Sequence, residues 1–132
     1  MEGSITFGGR YNPSFQFGAL YFGLTREICW KEIEKKNEGP VKKTRFKLFP
    51  VRVSLQKVLD LTDSSNQKVL EIKNEDLIKP FDYDLTQKIA IKARQMGYEA
   101  VLAPSSAGQG EILVVFQDLL LQGSTLKIEK KK

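Results

Sequence analysis

GGRYNPSFQFGALYFGLTREICWKEIE, residues 8–34, brings a glycine turn, an arginine, two tyrosines and a helix together in one short stretch. The Gly8-Gly9 pair allows backbone conformations that side chains forbid, and it sets Arg10 and Tyr11 on a tight turn that Asn12-Pro13 closes. The arginine guanidinium offers donors in a rigid fork, which suits a carboxylate or a phosphate. The turn therefore predicts an anion at Arg10, and in the unliganded protein we expect a carboxylate there.

The second half of this stretch predicts a buried strand followed by a helix. Residues 19–24 form a short apolar and aromatic run between Gly18 and Thr25, which is typical of a buried strand. Thr25 is then a suitable N-cap for a helix that extends to about Lys36. Glu27 falls in the first turn of that helix, where the helix dipole favours a carboxylate.

One carboxylate falls on the apolar face of the predicted helix. At about 100° per residue, Glu32 lies within the arc of the apolar residues, which are Ile28, Cys29, Trp30 and Ile33. A carboxylate that faces the core is costly unless it is paired or used in chemistry. Two explanations remain open: Glu32 is a structural group bound to an arginine or to backbone amides, or it is a functional residue.

These residues resemble the opening motif of the RES domain family, which is named for an arginine, a glutamate and a serine. On that resemblance Arg10 is the family's arginine, Tyr21 its aromatic residue, and Glu32 its glutamate. The family's serine follows a strand and a proline, and Ala103-Pro104-Ser105 ahead of the apolar run 112–116 is similar to that segment. Ser105 is therefore the matching serine.

The resemblance implies an α+β fold similar to ADP-ribosyltransferases, in which a split β-sheet with flanking helices holds NAD in a central cleft. It also implies an NAD-degrading toxin of a type II toxin–antitoxin system, paired with a helix-turn-helix (Xre-type) antitoxin. Whether the toxin forms a homodimer is left open. NAD would be the substrate and no metal is expected.

The chemistry of NAD suits these residues. Breaking the bond between nicotinamide and ribose builds positive charge on the sugar, which suits Glu32. The pyrophosphate suits Arg10, and the flat nicotinamide ring suits stacking on Tyr21 or Tyr11. Ser105 would hydrogen-bond the ribose or orient the glutamate. The catalytic candidates are thus Arg10, Glu32 and Ser105, and Arg10, Tyr11, Tyr21 and Ser105 are the candidates for binding NAD; water, phosphate and a protein side chain remain open as acceptors of the ADP-ribose.

Two features depart from the family pattern. Family members generally carry a leading strand before the glycine–arginine motif, whereas nine residues precede Arg10 here, so we expect a shortened N-terminal part of the site. The position before Leu113, often asparagine in the family, is Ile112. These departures raise the alternative of a catalytically inactive RES-like binding module.

Composition indicates a single soluble domain over residues 1–132, with residues 126–132 as a basic tail. Hydrophobic residues make up 41% of the chain, and a single cysteine is typical of a reducing compartment, so the cytoplasm is expected. Neither a secretory leader nor a membrane-spanning run is recognisable. The chain has no histidine, which excludes Ser-His-Asp and Cys-His nucleophiles and leaves chemistry by Arg, Glu, Ser and Tyr.

The net charge of +5 is concentrated in residues 42–47 and in the tail. A basic strand at residues 42–52, with Phe46 and Phe49 interleaved, supports the alternative that the chain binds RNA or an acidic protein. Period-two alternation puts Phe46 on the face opposite Arg45 and Lys47, which disfavours direct nucleic-acid binding.

The remainder of the chain predicts alternating short elements. Residues 43–54 indicate strands, with Pro50 marking an edge, a bulge or a break between two of them. Residues 55–63 indicate a strand or a short helical turn, and residues 63–66 a turn or loop. Short helical pieces are predicted within residues 67–78, ending before Pro80.

The next helix is predicted from an N-cap at Asp84 to a stop at Gly97. Its buried face is predicted to hold Leu85, Ile89, Ala93 and Met96. Strands are then predicted at residues 99–103, at residues 112–116 and after Gly123.

Overall fold

A computed structural model of the chain describes residues 9–36, 39–40, 48–80 and 82–129. Within those ranges lie six strands, four α-helices and a short 3-10 turn at Gln117–Leu119. In chain order the elements are β1 (Leu20–Gly23), α1 (Arg26–Lys36), β2 (Val51–Ser54), β3 (Val58–Asp60), α2 (Ser64–Leu70), α3 (Asn74–Leu77), α4 (Asp84–Gln95), β4 (Ala100–Pro104), β5 (Glu111–Val115) and β6 (Thr125–Ile128). The predicted α+β class is confirmed. No helix in the described ranges is both long enough and apolar enough to cross a bilayer.

The strands form two sheets. The larger has the order β1-β5-β4-β3, with β5 antiparallel to both β1 and β4, and β3 parallel to β4. The smaller pairs β2 with β6 in antiparallel register. The predicted split sheet is therefore confirmed. For residues 55–63, where both a strand and a helical turn were predicted as alternatives, the structure has strand β3.

Alternation along the strands divides the core into two parts, because successive side chains point to opposite faces of a sheet. Val101 and Val114, which are in register, pack on the face that the helices cover, whereas Leu102 and Leu113 face the β2–β6 sheet. Tyr21 is in register with Val114 and therefore lies on the helix-covered face. Ser105 follows Val101 by four positions and continues the same face.

Helix α1 begins as the sequence predicts. The hydroxyl of Thr25 accepts a hydrogen bond from the backbone N–H of Ile28 at 3.1 Å, which is the N-cap contact. Ile28 is 2% exposed and packs against the loop between β4 and β5. A Cβ at Gly110 would lie 2.5 Å from Ile28 Cγ1, so glycine is required there for the loop to approach the helix.

Local predictions are partly wrong in two segments. Residues 63–66, predicted as a turn or loop, contain the N-cap Asp63 and the start of α2, since serine, aspartate and asparagine favour helix starts as well as turns. On α4 the predicted burial of Ala93 is confirmed and Ile89 packs partly buried against the core, but Leu85 and Met96 are 37% and 54% exposed. The helix also buries Thr86 and Ala90, small residues that allow it to approach the sheet closely.

The N-cap residue of α4 is Tyr83 rather than Asp84. The short helices α2 and α3 confirm the helical pieces predicted before Pro80. Strands β4, β5 and β6 confirm the three late strands, and β2 confirms residues 51–54 of the segment predicted at 43–54. Residues 48–50 of that segment belong to no strand, and residues 43–47 lie outside the described residues.

A buried carboxylate joins the two sheets. Glu99 is fully buried and accepts hydrogen bonds from the backbone N–H groups of Gln56 at 2.7 Å, Lys57 at 2.9 Å and Leu121 at 2.7 Å. Burial raises its pKa, but the hydrogen bonds from the Ser124 side chain and from these amides outweigh burial and bring the pKa to about 2. Glu99 therefore holds the segments before β3 and β6 against the start of β4.

We expect Glu99→Gln to lower the free energy of unfolding at neutral pH by on the order of 2 to 3 kcal/mol. The folded pKa of about 2 lies below the ordinary value of 4.5, so this stabilisation is present above about pH 4.5 and is lost as the pH falls towards about 2. Urea unfolding followed by circular dichroism at several pH values measures it. The exposed Glu75→Gln is the matched control, and wild-type and Glu99→Gln curves with the same pH dependence would contradict the prediction.

Candidate active site

The Arg10 turn is closed by its own backbone. The N–H of Gly9 donates to the carbonyl of Asn12 at 2.8 Å, and the N–H of Asn12 donates back at 3.3 Å. A Cβ at Gly9 would lie 2.6 Å from the hydroxyl oxygen of Tyr21. Glycine at position 9 therefore allows the turn to pack directly against Tyr21 of β1. Gly8 lies outside the described residues.

Arg10 is buried, with 7% of its surface exposed. Its Nη1 donates to the carbonyls of Leu77 at 3.3 Å and Lys79 at 2.9 Å, and its guanidinium lies 4.5 Å from the centroid of the Tyr83 ring. The prediction of a carboxylate partner for Arg10 is wrong for the described part of the chain. Carbonyls at the end of α3 and just after it, which have no N–H partner within the helix, take the place of the carboxylate. Nη2 is buried and has no hydrogen-bond partner among the described residues.

Two tyrosines and an asparagine form a hydrogen-bonded cluster beside Arg10. The hydroxyl of Tyr21 accepts from the backbone N–H of Tyr11 at 3.0 Å and donates to Oδ1 of Asn12 at 2.5 Å. The ring of Tyr11 is fully buried, and within the described ranges its hydroxyl has no partner. Burial raises the pKa of both phenols, so both remain protonated at neutral pH and act as hydrogen-bond groups rather than bases.

The first turn of α4 fixes the Arg10 turn from the other side. The hydroxyl of Thr86 donates to the carbonyl of Arg10, and Nε2 of Gln87 donates to the carbonyl of Gly9 at 2.7 Å. Sequence analysis did not identify Tyr83, Thr86 or Gln87 as part of the site. The sequence contained one signal for Thr86, which is a polar residue on a face of α4 whose other buried residues are alanines.

Glu32 and Ser105 are in direct contact. The hydroxyl of Ser105 donates to Oε2 of Glu32 at 2.7 Å, although 73 positions separate the two residues. Ser105 is 4% exposed, and its oxygen also accepts from the N–H of Ala107 at 3.1 Å. Glu32 thus binds a serine hydroxyl rather than the arginine or backbone amides that a structural role predicted.

The loop at residues 105–110 packs along one face of α1. Side chains at helical spacings of three and four contact it: Ile28 meets Gly110, Lys31 meets Gly108, Glu32 meets Ser105 and Lys35 meets Ser106. The small residues of the loop allow this close approach. The helix therefore positions Glu32 by packing on both sides of it.

Electrostatics connect the two parts of the site. The pKa of Lys35 is lowered, first by burial and then by the positive charge of Arg10, while the negative charge of Glu32 opposes the shift. Arg10 and Glu32 are therefore both near enough to affect one ammonium group. Tyr21 contacts the backbone of Tyr11, which follows Arg10 directly in the chain, and Glu32 contacts Ser105. Lys35 contacts Ser106 and is within electrostatic reach of both Arg10 and Glu32.

Arg10, Tyr11 and Ser105 are buried, Glu32 is half-buried and Tyr21 is partly exposed. A surface groove of about 740 Å³ lies elsewhere on α1, and its lining residues are Arg26, Glu27, Trp30, Lys31 and Glu34. That groove contains none of the buried donors described above. Ile112, at the position that is often asparagine in the family, is 5% exposed and packs in the helix-side core.

Comparisons with known proteins identify the family of the chain and several relatives. The family model of the RES domain matches residues 1–127. The NAD(+) phosphorylases MbcT of Mycobacterium bovis and Mycobacterium tuberculosis are each 25% identical to the chain over 122 residues, which cover 88% of this chain. The chain spans 65% of the length of these curated relatives. The crystal structure of the M. tuberculosis MbcT–MbcA toxin–antitoxin complex superposes with a TM-score of 0.78 at 26% identity, covering 98% of this chain and 73% of that chain.

Proposed function

The chain belongs to the RES domain family, and from that premise we propose that it consumes NAD by breaking the bond between nicotinamide and ribose. The observation that carries this proposal is the hydrogen bond of 2.7 Å between Ser105 and Glu32. Arg10, whose buried Nη2 has no partner among the described residues, acts together with Glu32 on the pKa of Lys35. The carboxylate of Glu32 suits the positive charge that develops on the ribose, and the guanidinium of Arg10 suits the negatively charged phosphates of NAD.

Glu32 acts on the ribose. As nicotinamide departs, positive charge develops on the sugar, and a carboxylate beside the sugar stabilises it. Ser105 occupies Oε2 of Glu32, which fixes the orientation of the carboxylate, and we assign the other oxygen to the ribose. Ser105 is thus a positioning residue in this scheme, because its proton is already donated to the glutamate.

Arg10 binds a phosphate group of NAD. Its Nη1 is held by two backbone carbonyls, so the guanidinium is fixed before the ligand arrives. A buried donor without a partner is unfavourable, and a phosphate oxygen at Nη2 removes that cost. The hydroxyl of Tyr11, which has no partner in the described part of the chain, supplies a second donor, and the partly exposed ring of Tyr21 is assigned to the nicotinamide.

We assign inorganic phosphate as the acceptor, because the MbcT relatives are NAD(+) phosphorylases. A phosphate oxygen bonds to the ribose carbon as the carbon–nitrogen bond breaks, and the electron pair of that bond neutralises the charged nicotinamide ring. The products are nicotinamide and ADP-ribose phosphate. The structural neighbour is a toxin–antitoxin complex, which supports the proposal that this chain is a toxin inhibited by an antitoxin protein; a helix-turn-helix antitoxin and a homodimer stay predictions.

Incubation of the purified chain with NAD, followed by chromatography of the products, tests this function. We expect nicotinamide and ADP-ribose phosphate when phosphate is present, and turnover at least about tenfold slower when phosphate is removed, because water is then the remaining small acceptor. Release of nicotinamide in neither buffer would contradict the proposal.

The alternative of a binding module has less support. Arg52, in the basic segment, pairs with Glu129 through both Nε and Nη2 at 2.6 Å, so its charge is already neutralised. The lysines of residues 42–47 lie outside the described residues. No contact in the described part of the chain favours this segment over the Arg10 and Glu32 cluster.

A further inference from the structure

Lys35 lies beside the Glu32–Ser105 pair and contacts neutral oxygens. Its Nζ donates to the carbonyl of Ser106 at 3.1 Å and to the hydroxyl of Ser106 at 2.6 Å. Among the described residues no carboxylate lies within ion-pair distance of this ammonium. Lys31, one turn earlier on α1, pairs instead with Glu27 at 3.3 Å. Lys35 therefore differs from its neighbour on the same helix in having an uncompensated charge.

Arg10 adds a second positive charge to the same region. It binds carbonyls and an aromatic ring rather than a carboxylate, and it lowers the pKa of Lys35. Glu32 supplies the negative charge that acts on Lys35. Two cations thus share one carboxylate, and an anion bound between them would relieve their repulsion.

We propose that Lys35 binds the inorganic phosphate that attacks the ribose. Nζ carries three hydrogens, and the two oxygens of Ser106 accept two of them, so one donor remains for a phosphate oxygen. Lys35 follows Glu32 by three positions, so both side chains project from one face of α1. A phosphate on Lys35 therefore lies next to the sugar that Glu32 stabilises.

The reaction that uses the phosphate rests on the proposed function, but phosphate binding can be measured without NAD. We expect a phosphorus NMR titration of the whole chain with inorganic phosphate to show binding at least about tenfold weaker for Lys35→Gln, because a charge-assisted interaction is lost. Lys35→Arg retains the charge and should bind nearly as the wild type does. Lys36→Gln, the same change at the next and exposed residue of α1, should have no effect.

A second variant separates anion binding from a structural role. If Lys35 merely fastens the loop, Ser106→Ala should weaken phosphate binding as Lys35→Gln does; in our proposal Ser106→Ala retains or strengthens it, because a competing hydroxyl is removed. In kinetics, Lys35→Gln should raise the KM for phosphate and leave the KM for NAD nearly unchanged. An effect on the KM for NAD alone, or equal phosphate binding by wild type and Lys35→Gln, would overturn the proposal. A wild-type chain without NAD turnover would refute the proposed function, and the titration would still decide the phosphate subsite.

Discussion

Glu32→Gln should reduce the rate of nicotinamide release by on the order of 10² to 10³, with the fold retained. Glutamine has the shape of glutamate and keeps an oxygen that can accept the hydrogen bond from Ser105, but it lacks the charge that stabilises the sugar. Because Glu32 is half-buried and its described side-chain hydrogen bond is to a neutral serine, we expect little change in thermal stability. The measurement is the initial rate of nicotinamide release at saturating NAD and phosphate.

Glu34→Gln is the matched control, because it makes the same chemical change on the same helix about 200° away. In cells, production of the wild-type chain alone should arrest growth and deplete NAD, and production of Glu32→Gln should do neither. Equal rates of nicotinamide release for wild type and Glu32→Gln would show that the carboxylate has no part in the reaction. Equal toxicity with intact NAD levels would point to binding or aggregation instead.

Arg10→Ala should weaken NAD binding at least about tenfold and also destabilise the fold by about 2 to 4 kcal/mol. The substitution removes the donors to the carbonyls of Leu77 and Lys79 and the cation above the Tyr83 ring, so it leaves buried acceptors without a partner. NAD affinity is best measured by calorimetry in a Glu32→Gln background, where turnover does not interfere. Urea unfolding gives the change in stability.

Two further variants interpret the Arg10 result. Arg10→Lys keeps the charge without the planar fork, so it should recover part of the stability and less of the NAD affinity. Arg52→Ala breaks an exposed ion pair and should change the free energy of unfolding by less than about 1 kcal/mol. NAD affinity that is equal for Arg10→Ala and for the parent chain would refute the role of Arg10 in binding.

Local sequence patterns were sufficient for the elements that carry the site. The apolar run of β1, the Thr25 N-cap and the 3.6-residue period of α1 depend on neighbours in the chain, and the strand, the cap and the helix are observed. The predicted burial of β1 is wrong, because the strand lies at the edge of its sheet and Tyr21 is 39% exposed. The same period showed that Glu32 needed a partner. It could not identify Ser105, because that contact depends on how the β4–β5 hairpin packs against α1, and only the family resemblance indicated the serine.

The surroundings of Arg10 could not be predicted. Its partners are the carbonyls of Leu77 and Lys79, which any residue carries, so no side chain marked them in the sequence. Lys35 looked like an ordinary solvent-facing lysine until the loop at Ser106 was found beside it. On α4, periodicity also predicted the burial of Leu85 and Met96. The helix packs closely on the sheet and buries the smaller Thr86 and Ala90 in their place.

The central claim is that Arg10, Tyr21, Glu32 and Ser105 form one site for NAD, and a crystal structure of the Glu32→Gln chain bound to NAD tests it most directly. We predict that the ribose carbon attached to nicotinamide lies beside the side chains at positions 32 and 105, with a phosphate oxygen within hydrogen-bonding distance of Nη2 of Arg10. NAD bound in the surface groove between Arg26 and Glu34, or any pose that leaves Arg10 without a contact to the dinucleotide, would contradict the claim.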